Sequence, residues 1–254
     1  MKLLFIGDVV GKHGCDFLQK KLHSLKQKHS IDITVINGEN SAAGNGITKA
    51  SAEMLFNCGA DVITTGNHAF KRRDSVQIFE RDTIIRPANY PDGVIGKGVC
   101  VLDYGKYSVA IINLMGTVYM DALDNPFNVI DDILKDIDTP NIFVDFHAEA
   151  TAEKKALGHY LAGKVTAVMG THTHVQTNDD IILNDHTGYI TDVGMTGPEL
   201  SVLGVATEPA VNKLKYKYPV QFTEANTSCF LNGVVVEFSE EVGRCTKFDK
   251  IIER

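Results

Sequence analysis

Leu3-Leu4-Phe5-Ile6-Gly7-Asp8 is a four-residue apolar run that stops at a glycine and a carboxylate. A run that short, closed by a turn residue, reads as a buried strand. It is too short for the apolar region of a signal peptide. Ile33–Ile36 and Val62–Thr64 repeat the pattern. The stretches between, about Cys15–His29 and Lys49–Cys58, read as helices, the second closed by Gly59. Strand–helix–strand alternation predicts parallel strands with crossover helices.

Further along, Val99–Leu102 and Ser108–Leu114 flank Tyr104-Gly105-Lys106, a hairpin signal. Asn141–Asp145 and Thr166–Met169 read as buried strands around a helix near Thr151–Leu161. The last third is β-rich: Ile181–Leu183, Tyr189–Ile190, Val220–Thr223, Gly233–Phe238 and Thr246–Ile252, with turns at Asn184-Asp185 and Ser239–Gly243. The expectation is a single α/β domain over 1–254, with a two-sheet core flanked by helices rather than one doubly wound sheet. Arg86–Gly98 and Thr196–Gly204 read as ordered loops. Met115–Phe127 is weakly patterned and reads as a lid or small cap.

The chain has 254 residues, with Lys+Arg 25 against Asp+Glu 32, a formal charge of −7. That balance argues against duplex nucleic acid or an anionic membrane as partner, since both want a large positive field. A small phosphorylated ligand at one local site stays open, and so does a homo-oligomer. No apolar stretch approaches the ~18 residues of a membrane span. The five cysteines are scattered with no C-x-x-C, which predicts free thiols in a reducing, cytoplasmic setting.

The chemistry lies where the strands end. The first runs into Asp8, the second into Asn37-Gly38-Glu39-Asn40, the third into Gly66-Asn67-His68. Two later ones end at Asp145-Phe146-His147 and Gly170-Thr171-His172-Thr173-His174. Carboxyl ends of strands carry the ligand sites of α/β sheets. Taken singly, Asp8 reads equally as a helix cap, Glu39-Asn40 as an exposed turn, Asn67-His68 as a cap and His147 as a core histidine. His172 and His174 are two apart, so on an extended segment both would face one side. Together the set offers carboxylate, amide and imidazole donors without thiolate, a first-row metal set. Asp8, Glu39, Asn40, Asn67, His147, His172 and His174 over-supply one ion and suit two that share a carboxylate. Two divalent ions beside two carboxylates leave two positive charges, which a phosphodiester anion and a hydroxide would cancel.

Competing motifs are weaker. Gly7–Gly14 is glycine-rich but matches neither G-x-G-x-x-G nor the P-loop, and no G-x-S-x-G occurs. Lys71-Arg72-Arg73 reads as a phosphate patch or a solvated helix start. Lys213, Lys215 and Lys217 read as a solvated face.

Seven blocks, Gly7-Asp8-Val9-Val10-Gly11, Ile36-Asn37-Gly38-Glu39-Asn40, Gly66-Asn67-His68, Arg86-Pro87-Ala88-Asn89, Asp145–Glu149, Gly170–Thr177 and Asp192–Pro198, span nearly the whole chain. In type and order they resemble the YmdB-like branch of the calcineurin-like metallophosphoesterases. The resemblance implies a four-layer α/β/β/α sandwich and a dinuclear centre of iron or manganese, with zinc also acceptable. It implies hydrolysis of 2′,3′-cyclic nucleotides, or of RNA ends bearing the same group, to nucleoside monophosphates. One ion would take Asp8, Glu39, Asn40 and His174. The other would take Glu39, Asn67, His147 and His172. A hydroxide bridging the ions would attack phosphorus, and His68 would be the general acid. The chain departs from the wider superfamily: Asp8-Val9-Val10 lacks a histidine ligand, Glu39 replaces the bridging Asp, and Ala69 stands where an acid would orient His68. The rival readings are a phosphomonoesterase such as a nucleotidase, and a regulatory interaction protein of RNA metabolism with a structural metal.

Overall fold

Successive residues of the first strand enter different cores, and that alternation sets the layering. The computed structural model describes residues 1–254. In chain order the elements are β1 (Lys2–Ile6), β2 (Asp8–Val9), α1 (Gly11–His29), β3 (Ile33–Asn37), α2 (Lys49–Cys58), β4 (Val62–Thr64), a 3-10 segment (Arg73–Glu80), β5 (Val99–Asp103) and β6 (Ser108–Met115). There follow α3 (Pro126–Asp136), β7 (Ile142–His147), α4 (Thr151–Leu161), β8 (Ala167–Thr171), β9 (Ile181–Leu183), β10 (Thr187–Ile190), β11 (Met195–Pro198), α5 (Thr207–Tyr216), β12 (Cys229–Ser239) and β13 (Arg244–Glu253). One sheet has seven strands in the order β2-β11-β12-β1-β3-β4, with β13 added on β12. The other has six, in the order β5-β6-β7-β8-β10-β9.

Leu3 and Phe5 point between the sheets, where they meet Val109, Ile111, Phe143 and Met169. Leu4 and Ile6 point outward against Leu18 and Leu22 of α1 and Leu55 of α2. The second sheet repeats this on its far side, where Ile112, Val144 and Phe146 pack against Ile130 of α3 and Leu157 and Leu161 of α4. The layers are therefore helix, sheet, sheet, helix, the expected sandwich. Each such side chain, fully buried, contributes about 1.5–3 kcal/mol.

The strands that matter for the site run parallel: β1 with β3, β3 with β4, β6 with β7, and β7 with β8. Their carboxyl ends lie on one rim. Register sets the details. His147 stands opposite Thr171, and Met195 opposite Asp8.

Several expectations differ from the structure for identifiable reasons. α1 starts at Gly11, not near Cys15, because the Glu224 carboxylate accepts from the backbone N of Lys12 (3.3 Å) and His13 (2.8 Å). That cap comes from more than two hundred residues away and leaves no local signal. Thr196–Gly204 reads as a loop by its Gly and Pro, but its first residues belong to β11 (Met195–Pro198), held by β12 and β2. Val220–Thr223 reads as a strand but is irregular, with Glu224 making one bridge to Val205. α5 forms where the alternating lysines suggest only a solvated face; its one buried residue is Ala210. α3 opens on Asn125, which accepts from Phe127 N at 2.9 Å, with Pro126 in its first turn. The irregular segment before α3 is tied down where Glu153 accepts from the backbone of Thr117 (2.9 Å) and Val118 (3.3 Å). No helix is long and apolar enough to cross a membrane.

Candidate metal centre

Glu39, at the end of β3, is fully buried and stands at the middle of the site. Its Oε1 lies 3.3 Å from His147 Nε2 and 3.3 Å from His68 Nδ1. Its Oε2 accepts from His68 N at 3.0 Å. The Asn37 amide oxygen accepts from Glu39 N at 3.2 Å and fixes the turn. Burial alone would raise the Glu39 carboxyl, but His147 and His68 outweigh it and hold it well below the usual range.

His147 Nδ1 donates to Thr171 Oγ1 at 2.9 Å, and that hydroxyl donates to Asp145 Oδ1 at 2.7 Å. Asp145 also accepts from Thr64 Oγ1 (2.5 Å) and Asn37 Nδ2 (3.0 Å). Burial pushes the Asp145 carboxyl up to about 6. This chain fixes the ring and leaves Nε2 facing the site. Around Nε2 stand Asn67 Oδ1 at 2.9 Å, His172 Nδ1 at 3.1 Å and Glu39 Oε1 at 3.3 Å. Burial lowers His147, yet the Glu39 charge and hydrogen bond push it up to about 9. Gly66 makes room for this ring, since any Cβ there would overlap the imidazole.

His172 and His174 are not on an extended segment as expected. Their φ values are 99° and 64°, and the chain turns sharply at each. The consequence is that they serve different parts of the site. His172 Nδ1 meets His147, and its Nε2 lies 3.1 Å from Glu149 Oε2. Burial and the charge of His147 push His172 down to about 4. His174 Nδ1 donates to the Leu203 carbonyl at 3.2 Å, so Nε2 is left for Asn40 Nδ2 (3.3 Å) and Asp8 Oδ1 (3.7 Å).

The Thr171–Thr173 turn is clamped from behind. Lys154, almost wholly buried on α4, donates to Thr171 O and to Asp192 Oδ2, each at 2.6 Å. Asp192 also accepts from Thr173 N (3.0 Å), Thr173 Oγ1 (2.8 Å) and Gly194 N (2.9 Å). No local pattern marks Lys154, because a lysine on an amphipathic helix reads as solvated.

Asn40 Oδ1 accepts from His68 Nδ1 at 2.9 Å, which answers what orients His68 in the absence of an acid at Ala69. The Asn40 Nδ2 meanwhile donates to Glu39 Oε1 at 3.0 Å. All eight residues marked by the sequence, Asp8, Glu39, Asn40, Asn67, His68, His147, His172 and His174, thus belong to one contact network. Other candidates stand apart. Arg72 binds the carbonyls of Ala43 and Asn45 rather than facing the site. Arg86 binds the carbonyls of Pro87 and Val94, and Asn89 those of Met115 and Asp124, so the Arg86–Asn89 block shapes backbone.

The donor set fits cations. Ligand atoms of Glu39, His147 and His172 lie within 4.8 Å of one another. Around His147 Nε2 one proton faces three atoms that offer lone pairs, the arrangement a metal ion would satisfy. Asp8 Oδ1 is buried with no hydrogen-bond partner. A buried carboxylate oxygen left unpaired is costly and calls for an explanation such as an ion. Burial would raise Asp8, but His174 holds it below its ordinary range.

A sequence profile for the family described as YmdB-like protein matches residues 4–251. The 2′,3′-cyclic-nucleotide 2′-phosphodiesterase of Bacillus subtilis strain 168 is 43% identical over 255 residues, 99% of this chain and 97% of that one. A crystal structure described as a novel phosphatase, from Mycoplasma pneumoniae, superposes with a TM-score of 0.95 at 33% identity, covering 99% of this chain and 92% of that one. The calcineurin-like phosphoesterase YfkN of Bacillus subtilis shares the fold, with a TM-score of 0.62 at 11% identity over 100% of this chain and 90% of that one.

Proposed function

This chain belongs to the YmdB-like protein family, and from that membership we propose that it is a metal-dependent phosphodiesterase that opens 2′,3′-cyclic nucleotides to nucleoside monophosphates. The observation that carries the reading is the convergence of Asp8, Glu39, Asn40, Asn67, His147, His172 and His174 from separate strand ends, beside His68, whose Nδ1 donates to Asn40. Asp8, Glu39, Asn40 and His174 would hold one ion, Asn40 by the Oδ1 that also accepts from His68, and Glu39, Asn67, His147 and His172 would hold the other. Bound there, two such ions supply Lewis acidity toward a phosphoryl oxygen and a water of lowered pKa. Iron or manganese is the expected pair, and the nitrogen and oxygen donors also accept zinc.

The chain's own residues do the rest. Asp145 and Thr171 hold the His147 tautomer, and the Leu203 carbonyl holds that of His174. With Nδ1 engaged by Asn40, His68 keeps Nε2 to deliver a proton to the departing ribose oxygen. Its imidazole lines the same cavity as Glu39, His172 and His174. The acidic surface favours mononucleotides or RNA ends over duplexes. Five free cysteines fit a cytoplasmic setting.

The test compares the metal-loaded protein on a 2′,3′-cyclic nucleotide and on the open 2′- and 3′-monoesters. The reading expects the cyclic diester to be hydrolysed at least tenfold faster, and His68→Ala to lower kcat by roughly 10²–10⁴ with metals retained. A preference for monoesters would make it a nucleotidase. An unchanged rate in His68→Ala would remove His68 from proton transfer.

A further inference from the structure

A cavity of about 750 Å³ opens onto Glu39, Asn40, His68, His172 and His174 of the candidate centre and extends well beyond them. Besides Glu39, His68, His172 and His174, its wall includes Leu203, Val205, Leu214 and Phe222. Leu203, Leu214 and Phe222 are 47%, 65% and 46% exposed, and nothing in the centre's own chemistry accounts for an apolar wall there. The Lys213 ammonium, also in the wall, lies 4.9 Å from the Phe222 ring centroid.

Three features hold this wall in place against the centre. Val202 and Val205 exchange both backbone hydrogen bonds, at 2.8 and 3.0 Å, across a two-residue turn. Leu203 occupies that turn at φ 55°, followed by Gly204 at 94°. Such turns favour Asn or Gly, so a leucine there is held against its backbone preference. Its carbonyl orients His174 while its side chain faces the cavity. Glu224, two residues after Phe222, is bound by the start of α1 and pins the Phe222 segment beside the site. It also fills the N-terminus of α1, which removes that helix end as a phosphate site.

We infer that this wall is the nucleobase subsite: the base of the substrate packs on Phe222 and against Leu203 and Leu214, beside the Lys213 cation, while the phosphate occupies the centre. The inference rests on the phosphodiesterase reading above. A nucleobase is planar, apolar on its faces and polar at its edge. Phe222 offers an aromatic face, the leucines an apolar edge, and Lys213 a donor for ring nitrogens and carbonyl oxygens. Aromatic platforms of this kind accept any base.

The test measures kcat/KM of the metal-loaded protein on adenosine 2′,3′-cyclic phosphate and on 1-O-methylribose 2,3-cyclic phosphate, which lacks the base. In Phe222→Ala the ratio of the two should fall about tenfold, through KM, within what one stacked base contributes. Phe222 is half exposed in an irregular segment, so its truncation leaves the fold in place. Leu203→Gly relieves the φ > 0 strain, and it should lower the same ratio without lowering Tm. A ratio unchanged from wild type in both variants overturns the subsite while leaving the phosphodiesterase reading intact. Failure of the wild-type protein to open either compound overturns the phosphodiesterase reading, and the subsite with it.

Discussion

Replacing Lys154 by methionine removes the ammonium behind the His172–His174 turn and keeps most of the side chain's volume. The pair it forms with Asp192 is almost fully buried, with side-chain exposures of 1% and 0%. Taking away one partner leaves Asp192 as a buried charge and strips the Thr171 carbonyl of its donor. Such a loss costs about 3–5 kcal/mol. For a chain of this length about 2 °C of Tm goes with each kcal/mol, so Tm should fall by about 6–10 °C. Replacing both partners, Lys154→Met with Asp192→Leu, removes the stranded charge and should recover part of that loss. It should not recover metal binding, because Asp192 is also the acceptor for Thr173 N, Thr173 Oγ1 and Gly194 N. Thermal melts with elemental analysis of each variant read both effects. If Lys154→Met melted within 2 °C of wild type with the same metal content, the clamp would have no energetic role. If the double variant bound metal as wild type does, the turn would be set by other contacts.

Asp179 accepts from Thr191 N (3.1 Å) and Thr191 Oγ1 (2.5 Å) and pairs with Lys155 at 3.0 Å. Burial opposes its charge, but these donors outweigh it and bring its carboxyl down to about 2 from 3.8. A depressed folded pKa gives stability that is present above the unfolded value and lost as pH falls through about 2, so Asp179→Asn should lose about 1 kcal/mol at pH 7, after screening at this partly exposed site, and only a small part of that at pH 2. Denaturant melts at the two pH values check this, and an equal loss at both would contradict it. Metal binding must displace the proton that Glu39 holds on His147, whose pKa is about 9, so affinity should rise with pH up to about 9 and a proton should appear on loading. Calorimetry of metal loading in buffers of different ionisation enthalpy measures that proton, and a buffer-independent heat would remove it.

The apolar runs at Leu3–Ile6 and Val62–Thr64 mark their strands because burial on both faces leaves an unbroken apolar signal. Lys49–Cys58 is legible because Gly59 closes it, at φ 113° in the structure, where Thr48 and Ser51 also cap its start. The donors are legible because they follow these strands directly. What is illegible depends on partners far along the chain. The start of α1 rests on Glu224, β11 on its neighbours β12 and β2, and the clamp of the histidine turn on Lys154 and Asp192. The turn that carries the positive φ of His172 and His174 is likewise held by distant groups, Asp192 at Thr173, Asp8 at His172 N and Leu203 at the His174 ring, so two-residue spacing alone carries no sign of it. The role of Asn40 beside His68 is a contact between two turns, visible only once β3 and β4 lie side by side.

The most direct test titrates metal back into protein stripped by chelation and follows both bound metal and hydrolysis of a 2′,3′-cyclic nucleotide. Turnover should be negligible in the stripped protein and rise to a plateau at two ions per chain, and Glu39→Ala should lose both binding and turnover. Full turnover after exhaustive stripping, or a Glu39→Ala protein with two ions and a wild-type rate, would contradict the dinuclear reading.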